Sequence, residues 1–439
     1  MLNAYLSKFK SRLKKKEVKI AVVGLGYVGL PLAVEFSKKG FVVFGIEIDS
    51  DRLARLKRKE TYITDVGPQE LRDALESSRL IPCGDFKVLQ GADVVIVCVP
   101  TPLKKRYLPD VSYIKGAVKS ISRNLKKGSL VILESTTYPG TTDEVILPLL
   151  ESGGLRHGKD FWLCFSPERI DPGNVKYPVS KISKVIGGVT KEAGLLGKAA
   201  YDIIIDRVVM VSSPRVAEIT KLLENTFRIV NIGLIDELAQ MAHKMKINIW
   251  EAIDAAATKP FGFMPFYPGP GVGGACIPKD PLYLYWKAKK FGFKSRFIKL
   301  ASDVISYMPE YVVRRVENIL NDNGIKLSGA RILIIGLTYK KDIKDLRKSP
   351  ALDILEILKK EKARISYHDP LIPYLKLGGL NFKSLPLTQN NLNKFDCVII
   401  AADHSSLNYN LILKNAKMIF DTRNVYKNIN IRDKKVFRL

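Results

Sequence analysis

A glycine-rich turn between an apolar strand and a helix constrains the fold of this chain more than any other segment. The run Val18–Val23 predicts a short strand, and the residues at 24–29 follow it with the spacing G-x-G-x-x-G. A helical pattern from Leu30 to Lys39 comes next. A strand, a glycine turn and a helix in this order are typical of the first unit of a doubly wound parallel sheet.

The same turn predicts a dinucleotide site, because glycines let the backbone approach a pyrophosphate and the amino end of the helix stabilises its charge. Glu47 lies at the end of the next β-rich run, where a carboxylate accepts ribose hydroxyls and repels a 2′-phosphate. We therefore predict NAD rather than NADP, with Arg52 softening that discrimination. Thr101 is either a cofactor contact or part of a rigid proline turn. The cofactor residues predicted in the turn are Gly24, Gly26, Tyr27, Val28 and Gly29.

Apolar runs separated by helical patterns continue as far as Phe165, which favours a Rossmann-type first domain. From Arg215 to Met245 apolar residues recur at helical spacing, which predicts one long helix in an all-helical central domain. Strand-like runs return at Arg331–Ile335, indicating a Rossmann-like α/β domain at the carboxyl end. We predict a basic arm at 1–17 and domains at 18–213, 214–325 and 326–439.

The charge balance is strongly basic, since 71 Lys and Arg against 44 Asp and Glu give a net charge of +27. Such a surface attracts nucleic acid, an anionic membrane surface or small phosphorylated ligands. The lysines are scattered without regular aromatic neighbours, so we favour a solvated basic surface, predict no nucleic-acid partner, and allow only weak membrane-surface association through the basic arm. No apolar run is long enough to predict membrane insertion.

Cysteine usage separates one residue from the other four. The five cysteines are far apart, odd in number and without metal-binding spacing, which predicts a reducing, cytoplasmic compartment and no metal. Cys276 lies in the loop GPGVGGACIPKD, among glycines and close to a lysine and an aspartate. Cationic neighbours favour a reactive thiolate. From the residues alone, a nucleophile and a packing cysteine remain equal alternatives.

Seven ordered segments resemble the UDP-glucose/GDP-mannose dehydrogenase family, over nearly the whole chain from Val18 to about Asn424. They are VGLGYVGLPLA, VPTPL, ESTTYPGTT, SPERIDPGN, AEITKLLENTFRIVNI, GPGVGGACIPKDP and GLTYKKDIKDLRKSPAL. The resemblance implies an NAD-dependent four-electron oxidation of a nucleotide sugar at C6. It also implies a homodimer or higher homo-oligomer built on the long central helix.

The resemblance implies a role for each matching residue. Cys276 is expected to attack the C6 aldehyde and to carry a thiohemiacetal and then a thioester. Lys221 and Asn225, one helical turn apart, are expected to stabilise the oxyanion at C6. Asp280 with Thr136 would position water; Thr136 would also contact the cofactor. Glu168 would act as a general acid or base and contact the substrate, as would Lys221 and Asn225.

The first turn of the carboxyl-terminal domain, after Ile335, lacks G-x-G-x-x-G, so this domain is not expected to bind a second dinucleotide. The resemblance implies that it binds the UDP part of the sugar nucleotide. By resemblance Lys340 and Arg347 meet the substrate, and cations suit its pyrophosphate. The backbone around Gly273 would border the sugar. His368 and His404 are interpreted as structural.

The segment SPERIDPGN at 166–174 resembles the branch that acts on UDP-N-acetylhexosamines, with UDP-N-acetylglucosamine the best candidate. Arg169 distinguishes this branch, and its guanidinium meets either the substrate or a neighbouring carboxylate. UDP-N-acetylmannosamine, UDP-N-acetylgalactosamine and UDP-glucose remain alternatives. A two-electron 3-hydroxyacid or 6-phosphogluconate-type dehydrogenase would not need Cys276, and a basic polyanion-binding protein would show no turnover.

Overall fold

The computed structural model describes residues 2–63, 65–104, 108–169, 179–427 and 435–439. The chain separates into two compact units. The first consists of Met1–Glu224 and Leu282–Phe293, and the second of Asn225–Pro281 and Lys294–Leu439. Each unit contains one parallel or largely parallel sheet with helices, as the sequence predicts.

The first unit is built on an eight-stranded sheet. The strands of this unit form the sheet and a separate small hairpin, β5–β6. They are β1 (Ile20–Val23), β2 (Val43–Ile46), β3 (Leu80–Cys83), β4 (Val94–Val97), β5 (Leu103–Lys104), β6 (Leu108–Pro109), β7 (Ser129–Leu133), β8 (Phe161–Phe165), β9 (Lys184–Gly188) and β10 (Val208–Val211). The strand order is β10-β9-β8-β7-β4-β1-β2-β3. The predicted parallel sheet extends from β3 to β8, but β9 pairs antiparallel to β8, so the whole sheet is mixed.

Apolar side chains fill both faces of this sheet. In β1, Ile20 and Val22 pack in one core cluster, while Ala21 and Val23 pack in another on the opposite face. A strand that is buried on both faces reads as a continuous apolar run, which is why the sequence predicts it. The α-helices that lie wholly within this unit in the described part of the chain are α1 (Leu2–Lys14), α2 (Gly29–Lys38), α3 (Ser50–Lys57), α4 (Pro68–Glu76), α5 (Ser112–Asn124), α6 (Leu147–Glu151) and α7 (Lys191–Tyr201).

The basic arm forms a helix that packs on the first unit. Phe9 and Leu13 of α1 are buried, and the ring of Tyr5 stacks on Trp162 with centroids 4.2 Å apart. Arg12 forms an ion pair of 2.8 Å with the buried carboxylate of Asp93. The apolar face of α1 is therefore used for packing within the first unit.

The second unit combines helices with a five-stranded parallel sheet. Its strands, including the hairpin β13–β14, are β11 (Arg331–Ile335), β12 (Arg364–His368), β13 (Tyr374–Leu377), β14 (Leu380–Lys383), β15 (Cys397–Ile400), β16 (Ile419–Asp421) and β17 (Val436–Arg438). The order is β12-β11-β15-β16-β17. The remaining helices of the chain are α8 (Pro214–Lys244), α9 (Ile249–Ala256), α10 (Asp280–Lys290), α11 (Arg296–Asp322), α12 (Pro350–Lys360), α13 (Gln389–Leu392) and α14 (Tyr409–Asn415).

The helix α8 confirms the predicted long central helix and is 31 residues long. The strands from β11 onward confirm the predicted third α/β region. Within the described part of the chain, no helix has both the length and the apolar character needed to cross a bilayer.

Candidate active site

The glycine turn after β1 has the geometry of a pyrophosphate cradle. Gly24 has a φ of +92°, and a Cβ there would lie 2.9 Å from the carbonyl oxygen of Cys98. At Gly29 a Cβ would lie 1.9 Å from the Gly24 carbonyl oxygen, so only glycine lets α2 start this close to the strand. At Gly26 a Cβ would meet nothing within 4 Å. The turn is thus tight on the protein side and open at its middle glycine, as a bound dinucleotide requires.

Glu47 joins the end of β2 to this turn. Its Oε2 accepts a hydrogen bond from the Leu25 backbone N–H at 3.1 Å and lies 3.4 Å from Nη1 of Arg52. Its Oε1 accepts from the backbone N–H groups of Ile48 and Asp49. The predicted ribose acceptor is therefore held rigidly beside the glycine turn, with a half-exposed arginine next to it.

The carboxyl ends of β4 and β7 bring two predicted threonines to the same sheet edge. β1 pairs parallel with β4, and β4 pairs parallel with β7. Thr101 follows β4 and is buried, while Thr136 follows β7 and is half-buried. The hydroxyl of Tyr283 donates to the carbonyl oxygen of Thr101, which fixes the backbone after β4. Ligands of open α/β sheets bind at this edge.

A buried carboxylate on α8 fixes the loop that carries Thr136. Glu218 accepts hydrogen bonds from the backbone N–H of Gly140 at 2.6 Å and of Thr142 at 2.9 Å. Burial raises the pKa of Glu218 to about 7. Lys221 lies three residues further along α8, and 8% of its surface is exposed. Sequence reasoning did not identify Glu218, although it lies inside one of the quoted motifs.

The guanidinium of Arg169 contacts a neighbouring carboxylate. This carboxylate is one of the two alternatives that the sequence allowed, the other being the substrate. Its Nη2 lies 2.7 Å from Oε1 of Glu224, and its Nη1 donates to the Ser183 carbonyl oxygen at 2.6 Å. The backbone N–H of Arg169 donates to Oε1 of Glu168. The remainder of the predicted substrate segment, at 170–174, lies outside the described residues.

Glu168 belongs to a buried charged cluster that the sequence did not reveal. Its Oε2 lies 3.1 Å from Nζ of Lys184, and the same ammonium lies 2.9 Å from Oε1 of Glu134. Tyr201 donates its hydroxyl to Glu134. We call Glu134, Glu168 and Lys184 the carboxylate–lysine cluster. All three are buried.

In the second unit, the loop GPGVGGACIPKD at 269–280 carries Cys276 and Asp280, and Asn225 on α8 contacts Asp280. The backbone N–H of Asp280 donates to the Cys276 carbonyl oxygen at 2.8 Å. The Asn225 amide donates to Oδ2 of Asp280 at 2.8 Å, and Lys279 Nζ lies 4.0 Å from Oδ1. Asp280 is fully buried, whereas Cys276 is exposed. The local backbone and Asn225 thus fix a buried carboxylate four residues after the exposed cysteine.

The glycine segment before Cys276 is anchored at two points in the second unit. Gly273 is buried, and the backbone N–H of Gly274 donates to the Arg347 carbonyl oxygen at 2.8 Å. The backbone N–H of Gly269 donates to Oδ1 of Asp236 at 3.0 Å. Burial raises the pKa of Asp236 to about 8. Asp236 is a further residue that sequence reasoning missed.

The turn after β11 carries the predicted substrate cations. Lys340 is half-buried, and Arg347 forms a bidentate pair with Asp345, with Nη2 2.6 Å from Oδ2. His404 is fully buried, with Nε2 3.2 Å from Oδ2 of Asp369. His368 contacts the Leu385 carbonyl oxygen. His404 is thus buried inside this domain, whereas His368 is half-buried.

The other cysteines differ from Cys276 in exposure. Cys164 and Cys397 are buried, and Cys83 and Cys98 are half-buried. Burial raises the pKa of Cys397 to about 12 and also raises the pKa of Cys83, Cys98 and Cys164. Cys276 is thus the one cysteine of the five with an exposed side chain, and all five lie within the described ranges.

Comparison with known proteins agrees with this division of binding sites. Residues 18–205 match the NAD binding domain of the UDP-glucose/GDP-mannose dehydrogenase family. Residues 215–305 match its central domain and 333–428 its UDP binding domain.

Several relatives match over most of their length. The chain is 40% identical to UDP-N-acetyl-D-glucosamine 6-dehydrogenase of Pseudomonas aeruginosa over 89% of the chain and 91% of that protein. It is 35% identical to UDP-N-acetyl-D-mannosamine dehydrogenase of Pyrococcus horikoshii over 93% and 96%. A solved structure of the UDP-D-ManNAc dehydrogenase from that organism superposes with a TM-score of 0.84 at 36% identity, covering 93% of this chain and 96% of the other.

The fold, the dinucleotide turn and the second nucleotide domain define an NAD-dependent nucleotide-sugar dehydrogenase. The chain belongs to the UDP-glucose/GDP-mannose dehydrogenase family.

Proposed function

We propose that this enzyme oxidises the C6 hydroxymethyl of a UDP-N-acetylhexosamine to the carboxylate, with Cys276 as the covalent nucleophile. UDP-N-acetylglucosamine is the favoured substrate, because the relative with 40% identity is named for it. UDP-N-acetylmannosamine is the second candidate, since the relative with 35% identity carries that name. The observation that carries the proposal is the exposure of Cys276 on a loop whose Asp280 carboxylate is buried and bonded to Asn225.

The chemistry balances with two equivalents of oxidant and one water. NAD, when bound, accepts a hydride from C6 in each of the two oxidations. Between them the Cys276 sulfur bonds to the aldehyde carbon, and Lys221 with Asn225 stabilises the oxygen of the adduct. After the second oxidation the carbon is a thioester. One alcohol, one water and two NAD⁺ give one carboxylate, two NADH and three protons.

Hydrolysis then releases the product from the enzyme. Asp280 with Thr136 positions a water whose oxygen bonds to the thioester carbon, and Glu168 takes a proton from that water. The carbon–sulfur bond breaks, and Cys276 leaves as a thiolate. Covalent attachment keeps the reactive aldehyde from escaping between the two oxidations.

The substrate test is a panel of UDP-sugars assayed for NADH and uronate together. We expect two NADH per uronate, with the highest kcat/KM for UDP-N-acetylglucosamine. A ratio of one would support the two-electron alternative. Highest kcat/KM for UDP-N-acetylmannosamine or UDP-glucose would replace the favoured substrate and leave the reaction type intact.

The mechanism test replaces the thiol. Cys276→Ser is expected to lower uronate formation by roughly a thousandfold or more, because a serine hydroxyl is a much weaker nucleophile than a thiolate. Calorimetry should still detect binding of NAD and of the UDP-sugar. The matched control is Cys83→Ser, on a half-buried cysteine at the end of β3, which should keep wild-type turnover. Undiminished turnover by Cys276→Ser would refute the covalent mechanism.

The proposal includes a cytoplasmic homodimer or higher homo-oligomer. Contiguous exposed apolar side chains on a protein surface mark association sites. One helix, α8, exposes an apolar stripe formed by Val216, Ile219, Leu223, Phe227, Leu234 and Met241. Leu223→Glu is expected to shift the sedimenting species toward the monomer mass, and an unchanged oligomer would exclude this stripe as the interface.

A further inference from the structure

Glu168 shares a buried site with two further charged side chains, Glu134 and Lys184. Glu134 and Lys184 are 1% and 5% exposed, so both lose nearly all contact with water. Buried ion pairs seldom stabilise a protein more than apolar packing of the same volume, because desolvation of the charges is costly. Such clusters are frequent at functional sites, where they set a protonation state.

Within the described residues, the two carboxylates of the cluster share the ammonium of Lys184, which lies within ion-pair distance of both. Lys184 Nζ lies 2.9 Å from Oε1 of Glu134 and 3.1 Å from Oε2 of Glu168. Oε2 of Glu134 is buried and has no hydrogen-bond partner among the described residues. The two carboxylates therefore compete for one cation in a site that water does not screen.

Lys184 is a charge partner of both carboxylates. Burial raises the pKa of Glu134, whereas for Lys184 the two carboxylates outweigh burial and raise its pKa. The ammonium also lies 4.8 Å from the ring centroid of Tyr201. Among the described residues, the titratable groups that face the cluster from neighbouring elements are Cys98 after β4, Cys164 on β8 and Tyr201 on α7. Arg169 contacts Glu168 through its backbone N–H, while its guanidinium pairs with Glu224.

We propose that Lys184 is a positioning residue for thioester hydrolysis: its ammonium keeps the Glu168 carboxylate charged and oriented as a base, and Glu134 tunes that base by competing for the ammonium. The inference rests on the proposed role of Glu168 as proton acceptor. It assigns Lys184 and Glu134 no contact with substrate. Both act through Glu168, whose other carboxylate oxygen is fixed by the Arg169 backbone N–H.

The competition predicts opposite effects for two single substitutions. Lys184→Met removes the cation, so Glu168 holds its proton more tightly, and the acid limb of the kcat–pH profile should move up by about one pH unit or more. Glu134→Gln removes the competing anion, so that limb should move to lower pH. A loss of packing alone would not shift the two variants in opposite directions.

The experiment records kcat against pH with NAD and UDP-N-acetylglucosamine, or with UDP-N-acetylmannosamine if the substrate panel selects it. Intact-protein mass spectrometry should show more thioester adduct on Lys184→Met than on wild type at pH 7, because hydrolysis is the slowed step. Lys184→Arg keeps the cation and should keep the adduct near the wild-type level. If Lys184→Met does not fold, Lys184→Arg and Glu134→Gln carry the test.

Glu168→Gln separates failure of this inference from failure of the proposed function. Wild-type turnover by Glu168→Gln would refute the role of Glu168 itself. If Glu168→Gln accumulates adduct while Lys184→Met and Glu134→Gln keep the wild-type pH profile, only the inference about Lys184 is overturned. Shifts of both variants in the same direction would also overturn it.

Discussion

The turns after β1 and β11 share a backbone design but carry different side chains. Each begins with a glycine of positive φ, +92° at Gly24 and +81° at Gly336. A Cβ would lie 2.9 Å from the Cys98 carbonyl oxygen in the first turn and 2.5 Å from the Ala402 carbonyl oxygen in the second. Both glycines thus let the chain pass close to the end of the neighbouring parallel strand.

In each region, an acidic residue after the next strand accepts a hydrogen bond from the turn. The two acids differ in their side-chain partners. Glu47 accepts from the Leu25 backbone N–H at 3.1 Å, and Asp369 accepts from the Leu337 backbone N–H at 2.6 Å. The carboxylate of Asp369 also contacts the buried His404, which closes it off inside the domain. The partner of Glu47 is instead the half-exposed Arg52 side chain.

After the shared glycine, the first turn continues with two more glycines and the second with Thr338, Tyr339 and Lys340. Glycines expose backbone N–H groups to a pyrophosphate, whereas a lysine offers a mobile point charge. We therefore expect the shared strand–turn framework to fix where a nucleotide binds, and the side chains of each turn to select which nucleotide.

The largest expected effect is on the first turn. Gly29→Ala places a Cβ 1.9 Å from the Gly24 carbonyl oxygen, which forces α2 away from β1. We expect the free energy of unfolding to fall by about 3 kcal/mol and NAD-dependent turnover to fall at least about a hundredfold. Urea denaturation and steady-state kinetics measure both.

Gly26→Ala is the matched control for this change. Its Cβ meets no atom within 4 Å, so the unfolding free energy should stay near the wild-type value. The Kd for NAD should still rise, because the methyl group occupies the open side of the turn. Equal destabilisation by both alanines would show that the turn is not open at Gly26.

Substitutions in the second turn should change the KM for the UDP-sugar and leave the KM for NAD unchanged. Lys340→Met removes a cation expected at the pyrophosphate, and loss of such a charged hydrogen bond costs about 2 kcal/mol, or about thirtyfold in KM for the UDP-sugar. The KM for NAD should not change. Lys341→Met is the neighbouring control, since Lys341 lies 3.6 Å from Asp403 and is expected to leave both KM values unchanged. Similar effects of the two substitutions would argue against a specific role for Lys340.

A smaller effect is expected when the acid of the first turn loses its charge. Glu47→Gln keeps an oxygen that accepts from Leu25 but no longer repels a 2′-phosphate or binds ribose as strongly. The KM for NAD should rise about tenfold, and the preference for NAD over NADP should narrow. Asp369→Asn, the equivalent change in the second turn, should alter neither quantity. An unchanged cofactor preference in Glu47→Gln would remove Glu47 from the ribose site.

The smallest expected effect concerns acid stability. Burial opposes ionisation of Asp369, but hydrogen bonds from His404 and the backbone outweigh it and lower the pKa. Such a carboxylate stabilises the fold above its unfolded pKa of about 3.9, and this contribution is lost as pH falls through the folded value. Asp369→Asn should lower the unfolding free energy at pH 7 by about 1 kcal/mol and should show a weaker loss of stability below about pH 4. Parallel pH curves for variant and wild type would contradict this linkage.

The sequence predicts best those elements that are buried on both sides. The runs at β8 and β11 coincide with the strands Phe161–Phe165 and Arg331–Ile335, since a strand covered on both faces is apolar throughout. The glycine turn and the helix α8 are predicted for similar reasons: each has a pattern that few other structures permit.

Elements that are held by polar contacts between residues distant in sequence cannot be predicted from local sequence patterns. β9 begins with Lys184 and ends with two glycines, so it lacks the apolar pattern of its neighbours. The ion-pair partner of Lys184 is Glu134, which follows β7 and is distant in sequence, so no local pattern predicts that pair. For α1 a signal was present in the four-residue spacing of Tyr5, Phe9 and Leu13, although the surrounding lysines obscure it.

Because Cys276 is exposed while Cys164 and Cys397 are buried, these thiols differ in their access to oxidants and alkylating agents. Peroxides and alkylating drugs reach an accessible sulfur first, whereas sulfur packed in a sheet is shielded. Oxidative injury would then inactivate the molecule without unfolding it. Because the proposed mechanism attaches the substrate to Cys276, bound sugar nucleotide would shield this sulfur from the oxidant.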